Sequence, residues 1–246
     1  MRSFLFSCTL LAVCAAPAAA QDARVFANIN FGYQGQSQDL RQAAEFPLYD
    51  ETGNWEAQHG IDGGSIFDIG AGVRVHRNWS IGVSFANRGK HTRDVSITAG
   101  VPHPIFTDTL RTATATATGL EHSERAVHLQ ALLHIPVTVE FDVALFAGPT
   151  FFNVEDTLIE SVVPIEQGGD FSTVNLQTAT STQSNSAVGF NLGIDTRYMF
   201  TRNVGAGAML RFSRGSVDLT NPAGSGGELK LDTGGLEIGA GLRFRF

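Results

Sequence analysis

Apolar and polar residues alternate with a period of two along most of this 246-residue chain, and the alternation is cleanest at its end. Leu236, Ile238, Ala240, Leu242, Phe244 and Phe246 fall on one face of an extended strand, and Glu237, Gly239, Gly241, Arg243 and Arg245 fall on the other. An apolar face backed by charges and glycines, stopping on a terminal phenylalanine, predicts a strand with lipid outside and a polar interior.

Earlier segments repeat the pattern. The first strand is expected over about residues 22–34, with Val25, Ala27, Ile29, Phe31 and Tyr33 outward, followed by a polar segment whose clearest turn signal is Asp50-Glu51-Thr52-Gly53-Asn54. A second strand over 61–76 turns through His76-Arg77-Asn78 into a third beginning at Trp79. A fourth ends at Ile135 and turns through Pro136-Val137-Thr138 into a fifth, which carries Val143, Leu145, Ala147 and Phe151 outward. A sixth ends near Tyr198, a seventh runs from Val204 to Ser213, and the terminal strand is the eighth. Connections alternate between short and long, as they do when short turns and both termini face the periplasm and long hairpins face outward. The prediction is an all-β protein: one eight-stranded antiparallel up-and-down transmembrane β-barrel over residues 21–246. Ten strands would require splitting the long segments between the third and sixth.

Two of those long segments, 107–120 with its Thr112-Ala113-Thr114-Ala115-Thr116-Ala117-Thr118 run and 173–186, keep the period of two and lack the Gly/Pro content of flexible loops. A membrane strand needs only about 9–11 residues, so hairpins around 89–123 and 152–186 are expected to protrude from the outer surface. The alternative is a pair of disordered Thr/Ser-rich loops.

The beginning of the chain reads as a secretory leader, residues 1–20: Arg2, an apolar stretch from Phe4 to Ala16, and a small-residue cleavage site at Ala18-Ala19-Ala20. A lipoprotein signal at Cys14 is the rival, with valine where a small residue belongs. Both cysteines lie in the leader, so the remaining chain has no thiol chemistry. Loss of Arg2 takes the formal net charge from −7 to −8, which disfavours nucleic acid as a partner. No later apolar run approaches the length of a membrane helix, and a mean hydropathy of +0.01 suits strands that give every second residue to lipid.

Candidate chemistry sits on the inward faces. Arg24, Asp68, Arg74, Asp142, Asp195, Arg197, Arg211, Glu237, Arg243 and Arg245 make up the expected lumen charge set. An eight-stranded lumen is just wide enough for side chains to fill it, and buried charges require partners. The set is therefore an ion-paired plug, or alternatively the lining of a narrow solute path. Glu121-His122-Ser123-Glu124 holds the residue types of a serine hydrolase, but adjacent residues of a strand face opposite ways, which separates base from nucleophile. His128 and His134, ~20 Å apart along a strand, cannot share a metal, so neither a metal nor a cofactor is expected.

The leader, the dyad repeat and the terminal Leu242-x-Phe244-x-Phe246 resemble the small bacterial outer-membrane β-barrel proteins of the OmpA/OmpX/OmpW-like superfamily. That resemblance implies location in the outer membrane of a Gram-negative cell, contact with outer-membrane lipid and lipopolysaccharide, and recognition of Leu242, Phe244 and Phe246 by the outer-membrane assembly machinery. The expected function is a non-enzymatic structural or surface-interaction role for a monomer. A narrow passive channel for small or hydrophobic solutes, and less so a lipid-modifying hydrolase, are the alternatives.

Overall fold

Eight antiparallel strands close into a barrel in simple sequence order: β1 (Val25–Leu48), β2 (Glu51–His76), β3 (Trp79–Pro102), β4 (Leu110–Pro136), β5 (Phe141–Gln167), β6 (Thr173–Met199), β7 (Val204–Thr220) and β8 (Glu228–Arg245). The structure, a computed structural model, describes residues 24–169, 171, 173–224 and 227–246. The expected leader, residues 1–20, lies outside the described residues. Closure is made by β1 and β8, whose register runs from Phe26 opposite Arg245 to Gly35 opposite Leu236.

The strands are longer than the alternation near the membrane suggests. β1 continues through residues 35–48, expected as a polar connection, and the turn falls at Tyr49 and Asp50, both at positive φ. Strands of 24–27 residues in β1 to β6 span ~80–90 Å at ~3.3 Å per residue, roughly twice what a tilted membrane strand requires. The Thr112–Thr118 run lies within β4 and residues 173–186 within β6, so both segments are strand rather than loop.

Each strand crosses from one solvent to another along its length, and its polarity inverts on the way. Near the termini, Phe31, Ile69, Ile81, Leu129, Leu145, Ile194, Leu210 and Ile238 face outward and are exposed, forming the lipid-facing belt. Trp79, half exposed at the short-turn end, sits where an interfacial girdle belongs. In the outer half the apolar residues turn inward. Trp55, Ala57, Val95, Ile97, Val101, Ala113 and Ala117 pack with Ile159 and Val162 in one core. Leu40, Ile61, Val154, Leu158, Val217, Leu219 and Leu231 form a second.

The inversion needs a change of phase. On β2, β3 and β4 the buried positions are even-numbered in the membrane half, for example Ile66, Ser84 and Ala126, and odd-numbered beyond it, as at Trp55, Ile97 and Ala113. Ladder irregularities supply the shift: β1–β2 slips between Gln34 and Ser37, β3–β4 between Arg88 and His91 and between Arg93 and Val95, and Gly119 takes positive φ. On β3 and β4 the extra residue rotates the rest of its strand to the opposite face, whereas β1, which carries the extra residue against β2, keeps even-numbered positions buried from Asn30 to Ala44 while β2 changes phase.

Above this level the ring opens into separate pieces. Pairing stops at Gly35/Leu236 between β1 and β8, at His122/Asp156 between β4 and β5, and at Phe190/Arg214 between β6 and β7. What remains is a β1–β4 sheet, a β5–β6 hairpin and a β7–β8 hairpin, packed face to face around the two apolar cores. This outer part is a cap of soluble-protein type on a membrane barrel.

Candidate functional site: a charged lumen beneath an apolar cap

Inward-facing side chains of the membrane half stack in polar layers. Nearest the short turns, Ser80 Oγ lies 2.8 Å from His134 Nε2, and His134 Nδ1 is 3.8 Å from Asp142. Arg197 covers the Phe26 ring at 4.5 Å and donates from Nε to Asp195 at 2.9 Å. Ser80 and His134 are buried against the lumen wall. Ser, His and Asp thus come together here from three strands, not at the Glu121–Glu124 segment.

The next layer is centred on Asp195, which also accepts from Arg243 Nη2 at 2.6 Å and Nε at 3.1 Å, while Arg243 Nη1 donates to Asn30 at 2.7 Å. Above it, Arg211 spans the lumen. Its Nε and Nη2 donate to Glu237 at 2.9 and 2.5 Å, and its Nη1 donates to Asp68 at 2.9 Å and Ser84 at 3.0 Å. Ser213 adds a bond to Glu237 and Asn30 one to Asp68. Glycines make room for this bulk. A methyl group at Gly207 would run into the Thr196 carbonyl and stand 2.8 Å from Arg243 Nε. The void left in this region, lined by Asn28, Asp68, Ser84, Gln130, Asp195 and Arg211 among others, is about 10 Å3, at most one water.

At the level of the ladder irregularities, Glu124 accepts from Gln34 Nε2 and the Gly234 amide, and Arg88 lies 3.9 Å from Glu124 while donating to Gln36 and the Asp62 carbonyl. Inside the cap, buried Asp156 accepts from Arg93 Nη2 at 2.5 Å and pairs with His122 Nδ1 at 3.1 Å. His59 completes this group, with Nδ1 3.2 Å from Arg93 and Nε2 3.1 Å from Gln42. Burial, with the Arg93 charge adding to it, pushes His59 down to about 4. Neutral His59 with its proton on Nε2 satisfies both contacts; a protonated ring would set an N–H against the guanidinium.

Of the charges expected in the lumen, Asp68, Asp142, Asp195, Arg197, Arg211, Glu237 and Arg243 are brought together in these layers. Arg24, Arg74 and Arg245 are not. Arg24 is exposed, Arg74 acts on Asp142 without an ion pair, and Arg245 donates to the Arg202 carbonyl at 2.8 Å. All three lie at the rim, where the strands end and water replaces an ionic partner. Arg88 and Glu124, inward by the alternation of β3 and β4 though outside the expected charge set, join the network, and so do Arg93, Asp156 and His59, which the alternation did not select. His122, Ser123 and Glu124 are all buried, against the simple alternation expected there, because the irregularity at Gly119 precedes them. His122 bonds to Asp156, and among the described residues no hydrogen bond joins it to Ser123. His128 pairs with Thr150 at 2.8 Å, and no group of His, Cys, Asp and Glu suited to a metal occurs among the described residues. Leu242, Phe244 and Phe246 lie on the outward face of β8, with Leu242 and Phe246 exposed.

One weak point in the wall carries its own repair. Pro149 has no N–H to give, and the β4–β5 ladder skips from His128/Thr150 to Ala131/Ala147. Asn191 Nδ2 reaches across from β6 to the Gly148 and Pro149 carbonyls at 3.0 and 3.1 Å and to Thr150 Oγ at 2.9 Å.

The chain is similar to several solved structures. The outer membrane protein OprG of Pseudomonas aeruginosa is similar at a TM-score of 0.50 and 9% identity, over 91% of this chain and 96% of that one. The outer membrane protease OmpT of Escherichia coli is similar at 0.46 and 10% identity, over 91% and 97%. The N-terminal β-barrel domain of OprF of Pseudomonas aeruginosa gives 0.42 and 14% identity, over 92% and 100%. No curated protein matches in sequence. At these identities the likeness is one of fold. The sequence profile of the outer membrane protein beta-barrel domain matches residues 6–244, nearly the whole chain, and the chain belongs to that family of integral outer-membrane proteins.

Proposed function

We propose that this protein is a non-conducting, non-enzymatic outer-membrane barrel whose role is carried by its extracellular cap as a surface-interaction module. The observation that carries the reading is Arg211: wholly buried and bonded at once to Asp68 on β2, Ser84 on β3 and Glu237 on β8, it ties opposite walls together across the lumen. A guanidinium held by two carboxylates in a water-poor space does not swing aside without stranding a charge. The cap supports the same reading from above, since its apolar cores fill the space over the lumen.

The cap also differs from the rest of the protein in charge. The outer segments 36–65, 88–125, 152–188 and 214–236 hold eighteen acidic residues against eight lysines and arginines. Such a surface repels other anionic surfaces and favours partners that bring positive charge. Entry into the membrane rests in this proposal on the outward terminal strand with Leu242, Phe244 and Phe246 as the assembly signal, after removal of residues 1–20. Planar-bilayer recording from the refolded protein tests the closed lumen: a silent membrane is expected, and steady single-channel currents would overturn the reading in favour of a passive pore.

A further inference from the structure

Where the ring opens above the barrel, the three interruptions leave six strand edges in the cap. An open edge offers a row of unpaired N–H and C=O groups to any other strand, and charges or prolines along it are the usual guard. Five of the six are guarded in this way: β1 by Asp39, Glu45 and Pro47, β4 by Arg111, β5 by Glu160 and Pro164, β7 by Asp218, and β8 by Lys230 and Asp232. β6 is not. From Thr173 to Gly189 it has neither a charge nor a proline, and Thr173, Val174, Thr178, Thr180 and Thr182 are β-branched.

This strand is held from one side. Its ladder with β5 runs from Thr173 opposite Gln167 to Gln183 opposite Asp156. On the other side Asn185 still reaches the Asp218 carbonyl at 2.6 Å, but β7 ends at Thr220, which the register sets level with Ser184. Beyond that level no strand lies beside residues 173–183, and among the described residues their backbone bonds to β5 alone. Thr173, Asn175, Gln177 and Ala179 point outward and are exposed.

The chemistry of the edge selects its partner. A foreign strand drawn to the acidic cap by positive charge finds anchors on the guarded edges and none on this one. A second copy of the chain brings the same acid, and the uncharged edge is where two such caps meet with least repulsion. It also brings a matching edge. About a two-fold axis through Thr178, Val174 faces Thr182 and Leu176 faces Thr180, side chains that suit neighbouring strands. Membrane geometry then sets the sense of the pairing. β6 is one unbroken strand, and copies in one membrane are related by a two-fold along its normal. Barrel strands tilt by about 35–45°, so such copies would cross these edges at about 70–90° and form no ladder. A two-fold perpendicular to the strand keeps the edges antiparallel at any tilt and turns the second barrel to the opposite side.

We infer that the 173–183 edge of β6 pairs antiparallel with the same edge of a second copy in a facing outer membrane, so that the chain links one cell to another. The inference rests on the reading of the cap as a surface-interaction module, but not on the closed lumen. Val188 is the outermost large apolar residue on the outward face of β6 and lies ten positions from Thr178. Paired copies therefore hold their membranes ~50 Å apart, at ~3.3 Å per residue and the tilt above.

Phosphatidylcholine vesicles carrying the refolded full chain test it, with clustering followed by light scattering and membrane spacing by cryo-electron microscopy. Wild-type vesicles should cluster with gaps of ~50 Å, and more so as salt screens the acidic caps. Gln177 and Ala179 face each other across the two-fold, so Gln177→Lys with Ala179→Lys, or Gln177→Glu with Ala179→Glu, sets like charge against like. Each population alone should cluster about tenfold less. Mixing the two should restore clustering, which misfolded variants could not do. Wild-type vesicles that stay single, or that cluster less as salt rises, would overturn the pairing of copies. Undiminished clustering by either variant, or no rescue on mixing, would overturn the edge. Single vesicles together with a silent planar bilayer would sink this pairing while the closed lumen stands, so the two readings fail separately. Heat-modifiable migration on a detergent gel checks that each variant is folded.

Discussion

Replacing Arg211 with methionine probes the lumen at its most constrained point. Arg211 makes four hydrogen bonds to Glu237, Asp68 and Ser84, three of them to ionised groups. Hydrogen bonds to charged groups contribute about 1.5–3 kcal/mol each, but the arginine loses its own hydration on burial, so the sum of bonds overstates its net contribution. The cost of removal is set instead by what remains: Asp68 and Glu237, both nearly inaccessible to water, face each other with no cation between them. Breaking a buried pair from one side costs about 3–5 kcal/mol, and that is the loss expected for Arg211→Met. Neutralising the stranded partners in the same chain, Asp68→Asn with Glu237→Gln, should return most of it. Asn30 and Ser213 still find carbonyl acceptors, and no unpaired charge is left in this layer. Urea unfolding in lipid vesicles, followed by tryptophan fluorescence, measures both variants. Trp79 reports from the membrane interface and Trp55 from the cap core. A loss below about 1 kcal/mol for Arg211→Met, or a triple variant no more stable than the single one, would refute the argument that buried charge pairing holds this lumen closed.

Other parts of the fold give further predictions. Gly207→Val drives a branched side chain into the Thr196 carbonyl and Arg243, and overpacking of this kind costs about 1–3 kcal/mol, read as a lower midpoint of heat-modifiable migration. Asn191→Leu strips the cover from the Pro149 break at about 1–3 kcal/mol, and hydrogen exchange should rise at residues 147–151 ahead of the rest of β5. Trp55→Ala empties a core position at about 3–5 kcal/mol, and exchange should rise across the outer parts of β2 to β4 while the membrane half stays protected. The cap should also weaken in acid. His59 is depressed to about 4 in the folded chain, so its contribution is fully present above the unfolded value of about 6.5 and is lost as pH falls toward 4. The span corresponds to about 3 kcal/mol, and His59→Leu should flatten the slope of cap stability between those pH values.

The membrane half of this fold was legible in the sequence because lipid imposes one simple rule on it. From Val25 to Tyr33, or Leu236 to Phe246, apolar residues must face out, and their inward neighbours Asn30, Glu237 and Arg243 follow by parity. Beyond the membrane the same residue types follow the opposite rule. Ala113, Ala115 and Ala117 turn in and Thr112, Thr114 and Thr116 turn out, a pattern whose period of two is visible but whose sense is not. The phase shifts on β2, β3 and β4 hide the rest, since a parity count carried through Gly119 or past Arg88 assigns every later residue to the wrong face. That is why Asp68 and Arg211 could be placed in the lumen from sequence, while Arg93 and Asp156, partners from β3 and β5 beyond the irregular level, could not.

Two different forces hold the two halves, and this bears on where function lies. In the membrane, lipid is as apolar as leucine, so outward residues gain little from burial there. Backbone ladders and the Asp68–Arg211–Glu237 and Asp195–Arg243 pairs supply the specificity. Above the membrane, water returns outside, and burying Trp55, Ile97, Leu158, Val217 and Leu231 acquires the full hydrophobic driving force, ~25 cal/mol per Å2 of apolar surface. A barrel needing only to sit in the membrane gains nothing from strands extended to twice the membrane length. Each added residue costs about 1–2 kcal/mol of backbone entropy to order, which the cap offsets with cores of its own. An elaborated and acidic outer fold with apolar cores of its own, over an ion-paired lumen, is therefore the part of the chain on which the proposed surface-interaction role rests.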